Sequence, residues 1–191
     1  MKLIFATNNL HKVSEIKALM PNNIQLISLS DLNFFDDIPE DKNSIEENAS
    51  QKAWFVYDKF KINCFADDTG LEVAALGGHP GVFSARYAGS TKDSSKNIEK
   101  LLAELKNIDN RNARFKTIIS LIIDNKEIRF EGIINGNITR NIRGNKGFGY
   151  DPVFIPEGYD ITFAEMNLDE KNKISHRALA FNKLIEYLKN I

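Results

Sequence analysis

The run from Ile62 to Ala66 ends in two adjacent carboxylates, Asp67 and Asp68, followed by a hydroxyl and a glycine at Thr69 and Gly70. Read as a short buried strand, it delivers its last residues to a crevice at the carboxyl edge of a sheet, a common ligand position in α/β proteins. Side chains alternate along an extended backbone, so Asp67 and Asp68 face opposite ways. One carboxylate can reach a metal or a water while the other hydrogen-bonds the neighbouring loop. Asp and Gly are also ordinary turn residues, and a plain turn is the competing reading of Phe65 to Gly70.

The whole chain bounds the answer further. Its 191 residues fit one domain spanning 1–191. With 25 basic and 26 acidic residues the net charge is −1, and no arm or tail concentrates the cations, which argues against nucleic acid as a partner. Cys64 is the only cysteine, so no intramolecular disulfide can form, and a reducing, cytoplasmic setting is expected. Leu3 to Ala6 is too short an apolar run for a signal segment or a membrane span, so no membrane partner is expected.

Lys2 to Ala6 reads as a strand, and from Leu10 the apolar residues Val13, Ile16 and Met20 recur at helical spacing until Pro21. The join, Thr7-Asn8-Asn9-Leu10-His11-Lys12, adds a hydroxyl, two amides and a lysine to the N–H groups and positive dipole end of a helix start. That combination suits phosphate without being a P-loop; the alternative is a plain N-cap at Asn8 or Asn9. Ile24 to Leu29 is expected as a second strand, after which Asp36, Asp37, Glu40 and Asp41 gather before a helix capped by Ser44 and Glu47. Ala49, Ala53, Val56 and Phe60 fall on one face of that helix. Ser94 to Asn107 is a second amphipathic helix, assigned to structure.

Phe115 to Ile123 and Glu127 to Ile134 form a predicted hairpin across Asp124-Asn125-Lys126, part of a second, more antiparallel lobe. Asn135 to Pro152 is the most loop-like stretch. Within it, Arg140 to Asp151 mixes cationic and amide donors with Phe148 and Tyr150 between glycines. Aromatic faces stack on planar bases while a neighbouring carboxylate or amide reads the base edge; a mobile glycine loop with two anchoring aromatics is the alternative. Ser175 caps a closing helix carrying Phe181, Leu184, Ile185 and Leu188. His176 and Arg177 stand at its start, where a dipole argument does not put cations.

Taken together, Ala6 to Lys12, Pro39-Glu40-Asp41, Ser44 to Ala49, Ala66 to Gly70, Leu76-Gly77-Gly78 with Pro80-Gly81, Ser84 to Tyr87, Gly147 to Pro152 and Ser175-His176-Arg177 resemble the non-canonical purine nucleoside triphosphate pyrophosphatases. These are also called inosine/xanthosine triphosphate pyrophosphatases, the HAM1-like NTPase family. Each segment is short, but their order and spacing match nearly end to end. The resemblance implies an elongated two-lobed α/β protomer, with a central mixed β-sheet flanked by helices and a substrate cleft between the lobes. It implies a homodimer that hydrolyses ITP, dITP and XTP to monophosphate and pyrophosphate with Mg²⁺. Carried over by position, Glu40 and Asp68 serve the metal, and Asp68 is the catalytic base. Substrate contacts fall on Thr7, Asn8, Asn9, Leu10, His11, Lys12, Thr69, Phe148, Gly149, Tyr150, Asp151, Lys171, His176 and Arg177. Asn8, His11 and Lys42 stand where the family often has glycine.

The side-chain chemistry agrees with these roles. Glu40, Asp68 and a third candidate, Glu47, are hard oxygen ligands of the kind Mg²⁺ takes while keeping waters and sharing phosphates. Lys12, Lys52, Arg86, Lys171 and Arg177 are candidate cations for phosphate charge, with no individual weight on Lys52 or Arg86. A phosphatase working through an aspartyl-phosphate at Asp67 or Asp68 is the alternative enzyme. A purine nucleotide sensor without hydrolysis is the non-enzymatic alternative.

Overall fold

The computed structural model describes residues 1–17 and 20–191, and at Leu10, His11, Ser14 and Glu15 the backbone alone. The predicted helix through Met20 therefore includes two residues, Ala18 and Leu19, that lie outside the described residues. In chain order the elements are β1 (Lys2–Phe5), α1 (Leu10–Lys17), β2 (Gln25–Ser28), α2 (Ile45–Phe60), β3 (Cys64–Val73), β4 (Pro80–Gly81), α3 (Ser94–Glu104), β5 (Asn112–Ile123), β6 (Lys126–Ile138), β7 (Phe154–Pro156), α4 (Leu168–Ile174) and α5 (His176–Lys189). Among the described residues no helix is long and apolar enough to cross a membrane.

The fold is mixed α/β. One seven-stranded sheet runs in the order β2-β1-β3-β5-β6-β7, with β4 paired to β3. β1 pairs parallel with both β2 and β3, while β3–β4 and β6–β7 are antiparallel. The chain divides into two compact units. The first comprises Met1–Asp68, Thr117–Glu131 and Ala180–Ile191; the second comprises Thr69–Lys116 and Gly132–Leu179.

In the first unit the strand order β2-β1-β3 reverses direction at β1. The chain leaves β1 through α1 to β2 on one side, then crosses through α2 to β3 on the other. Right-handed crossovers in opposite directions put α1 and α2 on opposite faces of the sheet. The packing follows. Leu3 and Phe5 of β1 join Phe65, Ile16 of α1 and Phe181 and Leu184 of α5 in one core; Ile4 and Ala6 join Cys64, Ala66 and Ala53 and Val56 of α2 in another. Phe5 and Phe65 stack with centroids 4.4 Å apart, and both meet the edge of Phe181. The second unit has its own core, in which Leu71 and Val73 of β3 meet Ile98 and Leu101 of α3, Phe115 of β5, Tyr150, Phe154 and Phe163.

The hairpin of β5 and β6 turns on Asp124 and Asn125 alone, both with positive φ, as two-residue hairpin loops require. Two expectations are corrected. β6 runs on to Ile138, so the first residues of the predicted loop, from Asn135, are strand. β3 does not end at Ala66 in a turn but continues for ten residues to Val73. Its first residues pair with β1, and beyond the carboxylates Leu71 and Glu72 find a second partner in Gly81 and Pro80 of β4.

Candidate active site

The side chains singled out in the sequence gather in two groups, one in each unit. In the first unit β1 stops at Phe5, and the last link to β3 is the Ala6 N–H donating to the Phe65 carbonyl at 2.8 Å. The chain then turns through Thr7 to Asn9 into α1. Asn9 N–H donates to the Thr7 hydroxyl at 3.2 Å, and the Asn9 side-chain oxygen accepts from the Lys12 N–H at 3.3 Å, which makes Asn9 the helix cap. Asn8 instead donates its amide to the Asp36 carbonyl at 3.2 Å, tying the turn to the acidic connection before α2. The side chains of Leu10 and His11 lie outside the described residues.

The alternation that sorts the cores also sorts the two carboxylates. Phe65 faces the α1 side and Ala66 the α2 side, so Asp67 and Asp68 continue to those sides in turn. Asp67, 2 % exposed, receives the Lys12 ammonium at 2.9 and 2.7 Å on its two oxygens. Asp68 lies 3.1 Å from the Lys52 ammonium, which also donates to Glu40 at 2.6 Å. Burial raises the Asp68 carboxyl above its ordinary range; the Lys52 charge opposes this, and the nearby Glu40 and Asp67 charges reinforce it. Burial alone would depress Lys52, but the charges of Asp68, Glu40 and Asp67 outweigh it and hold the ammonium above the ordinary lysine value. Both partners rise, Asp68 because burial outweighs the Lys52 charge and Lys52 because the surrounding carboxylates outweigh burial. Thr69 follows Asp68 along β3 and is half-buried.

The residues expected to hold a divalent metal are suited to it. Glu40 and Asp68 converge on one nitrogen, so their oxygens are neighbours, and the group carries surplus negative charge. Among the described residues no three or more His, Cys, Asp and Glu side chains gather as a protein-only metal cage. Two carboxylates completed by waters and phosphate oxygens are the usual Mg²⁺ environment. Glu47 serves the helix instead. Its exposed carboxylate accepts from the hydroxyl of Ser44, which in turn caps α2 by accepting from the Glu47 N–H.

The second group belongs to the loop between β6 and β7 and to the start of α5. Asp151, 3 % exposed, accepts from the Phe148 N–H at 2.8 Å and from the Lys171 ammonium of α4 at 2.5 Å. Gly147, at φ +75°, lies directly beneath: a Cβ there would fall 2.0 Å from an Asp151 carboxylate oxygen. With its backbone so fixed, Phe148 is 60 % exposed. Lys171 Nζ lies 5.0 Å, and the Arg177 guanidinium 5.2 Å, from its ring centroid. His176 is buried, stacked on Phe115 at 4.6 Å and 14°. Tyr150 is buried too. Its hydroxyl donates to the Ser84 carbonyl at 2.9 Å, and burial pushes its pKa up, so of the loop's two rings only Phe148 is exposed for stacking. Gly149 carries the left-handed turn between them at φ +60°.

Lys52 is the residue to which the sequence assigned least weight and the fold assigns most. It stands in the stripe Ala49, Lys52, Ala53, Val56, and a lysine inside a buried helix face was the available signal. Arg86 lies over the Phe83 ring at 5.3 Å, in the second unit.

A family model described as the Ham1 family matches residues 3–187. The dITP/XTP pyrophosphatase of Flavobacterium psychrophilum is 54 % identical over 190 residues, all of both chains, and that of Christiangramia forsetii 55 % identical over 188 residues, 98 % of this chain and 99 % of its own. The solved structure of the Staphylococcus aureus Ham1 protein superposes with a TM-score of 0.94 at 38 % identity, covering 100 % of this chain and 99 % of that one. A HAM1 protein from Coxiella burnetii gives 0.95 at 34 % identity with full coverage of both. Matched by the family model over residues 3–187 and by relatives 54 % and 55 % identical over nearly its whole length, the chain belongs to the Ham1 family.

Proposed function

We propose that this protein hydrolyses the triphosphates of deaminated purines, dITP, ITP and XTP, to the monophosphate and pyrophosphate, removing them from the nucleotide pool. The observation that carries the reading is the division of labour on β3: Asp67 is buried and neutralised by Lys12, whereas Asp68 is half-buried beside the Lys52 ammonium it shares with Glu40 and is more basic than an ordinary aspartate. The names of the relatives support the substrate class.

Glu40 and Asp68 would hold Mg²⁺. The ion would supply charge neutralisation for the phosphates and make a nearby water easier to deprotonate. Asp68 takes the proton as the water oxygen attacks the α-phosphorus and the bond to the bridging oxygen breaks, so that pyrophosphate leaves. Lys12 and Lys52 offset the negative charge of the triphosphate's oxygens. In the second unit, Phe148 offers a stacking face flanked by Lys171 and Arg177, which are donors only. Such donors match the 6-oxo group of hypoxanthine and xanthine and mismatch the 6-amino group of adenine, a mispairing costly where water is excluded. A homodimer and a cytoplasmic setting complete the proposal; sedimentation at twice the chain mass tests the first.

The deciding experiment is product analysis with Mg²⁺ and dITP, ITP, XTP, GTP and ATP in parallel. Monophosphate and pyrophosphate from the first three, with little from ATP or GTP, are expected; orthophosphate as the direct product, or none at all, overturns the reading. Asp68→Asn is expected to lower kcat by ~10²–10⁴-fold, the usual contribution of a general base, while leaving the unfolding transition in place.

A further inference from the structure

The mechanism above uses Asp68 and gives its neighbour no role, although Asp67 is the more deeply buried of the two. Its surroundings define one. Lys12 is held at its backbone, where its N–H donates to the Asn9 cap, and at its far end, where Asp67 meets the ammonium with both oxygens at 2.9 and 2.7 Å. A long flexible side chain tethered at both ends has lost most of its rotamer freedom before any ligand arrives. The lysine side chain keeps 20 % of its surface exposed while the carboxylate keeps 1 %, so the ammonium borders solvent and the carboxylate sits behind it. β3 carries that carboxylate on the α1 side of the sheet, away from the face that Asp68 shares with Lys52.

We propose that Asp67 is a positioning residue: its buried carboxylate holds the Lys12 ammonium in place for the triphosphate without itself touching substrate. The inference rests on the proposed activity for its substrate. It separates the two aspartates by function, one acting on water and one acting only through a lysine.

A double-mutant cycle in the full chain tests it, with Asp67→Asn, Lys12→Ala and the pair assayed on dITP with Mg²⁺. Asp67→Asn is expected to raise KM about tenfold, the size of one charge-assisted hydrogen bond, and to move kcat by less than about threefold. In the Lys12→Ala background the same substitution is expected to change KM by less than about twofold, since there is no ammonium left to aim. An equal effect in both backgrounds, or a fall in KM on removing the carboxylate, overturns the proposal. If Asp67→Asn does not fold by circular dichroism, Asp67→Glu replaces it, keeping the charge while displacing the carboxylate by one methylene, with the same background dependence required. If the native protein turns over none of the deaminated purine triphosphates, the functional reading fails by itself. The cycle is then read by calorimetric titration of inorganic tripolyphosphate with Mg²⁺, where coupling between the two residues still supports the positioning role and its absence still refutes it.

Discussion

Lys52→Met removes one charge while keeping a long apolar stem in the buried face of α2, and it exposes how the acidic group is held together. In the native protein the ammonium lies 2.6 Å from Glu40 and 3.1 Å from Asp68. Two oxygens that close to one nitrogen are at most about 6 Å apart, where unit charges repel by roughly 3 kcal/mol at an effective dielectric of 20. Glu40 keeps 37 % of its side-chain surface exposed, so solvent screens part of this, and a loss of about 2 kcal/mol is expected at pH 7. For a chain of this size that is a fall in Tm of ~4–8 °C. The pH dependence is diagnostic. Asp68 already sits above the ordinary aspartate range because of burial, and removing Lys52 takes away the charge that opposes that rise. With its folded-state pKa further above the unfolded value, the variant binds an extra proton when folded and gains stability as pH falls. Urea unfolding of both proteins at pH 7 and near pH 4.5 measures this: the gap should be widest at neutral pH and shrink on acidification. A loss below about 0.5 kcal/mol at pH 7, within the range of ordinary surface substitutions, or a gap independent of pH, would refute the shared-ammonium account.

Glu127 accepts from the Ser50 and Ser120 hydroxyls, the Trp54 indole N–H and the Arg129 guanidinium, so Glu127→Gln turns an amide NH₂ toward donors and should cost ~1–3 kcal/mol by urea unfolding. Burial pushes the Glu127 carboxyl up, but the donors outweigh it and its pKa is depressed; the native protein therefore loses this contribution as pH falls through the folded pKa, and here the gap closes because the native protein weakens. Gly147→Ala must displace the Asp151 carboxylate that holds Phe148 and Lys171, whereas at Gly149 an added Cβ meets nothing within 4 Å and only its φ of +60° is strained. KM for dITP should rise in Gly147→Ala by several-fold more than in Gly149→Ala; equal effects would show that backbone strain alone, ~1–2 kcal/mol at either site, is responsible.

Much of the site was legible because local chemistry writes it into short segments. A strand that runs into Thr7-Asn8-Asn9 and then a helical apolar period can be read as a helix start, and Ser44 with Glu47 reads as a cap that the hydrogen bonds reproduce. The alternation of a strand was enough to split Asp67 from Asp68. The glycines around Phe148 and Tyr150 marked a loop able to bring its backbone close to a ligand, and Gly147 and Gly149 take positive φ there.

What the sequence by itself determined, then, was the type of β1, α1, β2, α2, α3, α5 and the β5–β6 hairpin, the opposed directions of the two aspartates and the residue types gathered in each loop, all of which depend on neighbours a few positions away. Only the tertiary structure decided that β3 continues past its carboxylates, because the partner that pairs its far end, β4, is set by contacts outside the strand. Only the tertiary structure made Tyr150 a core residue and left Phe148 exposed, since periodicity does not say which of two aromatics faces a core. It alone gave Asp67 to Lys12 and Asp68 to Lys52, 55 and 16 residues away. Those partners are chosen by the reversal of strand order at β1, which sends α1 and α2 to opposite faces of one sheet, and charges that are distant along the chain pair only once that crossing is made.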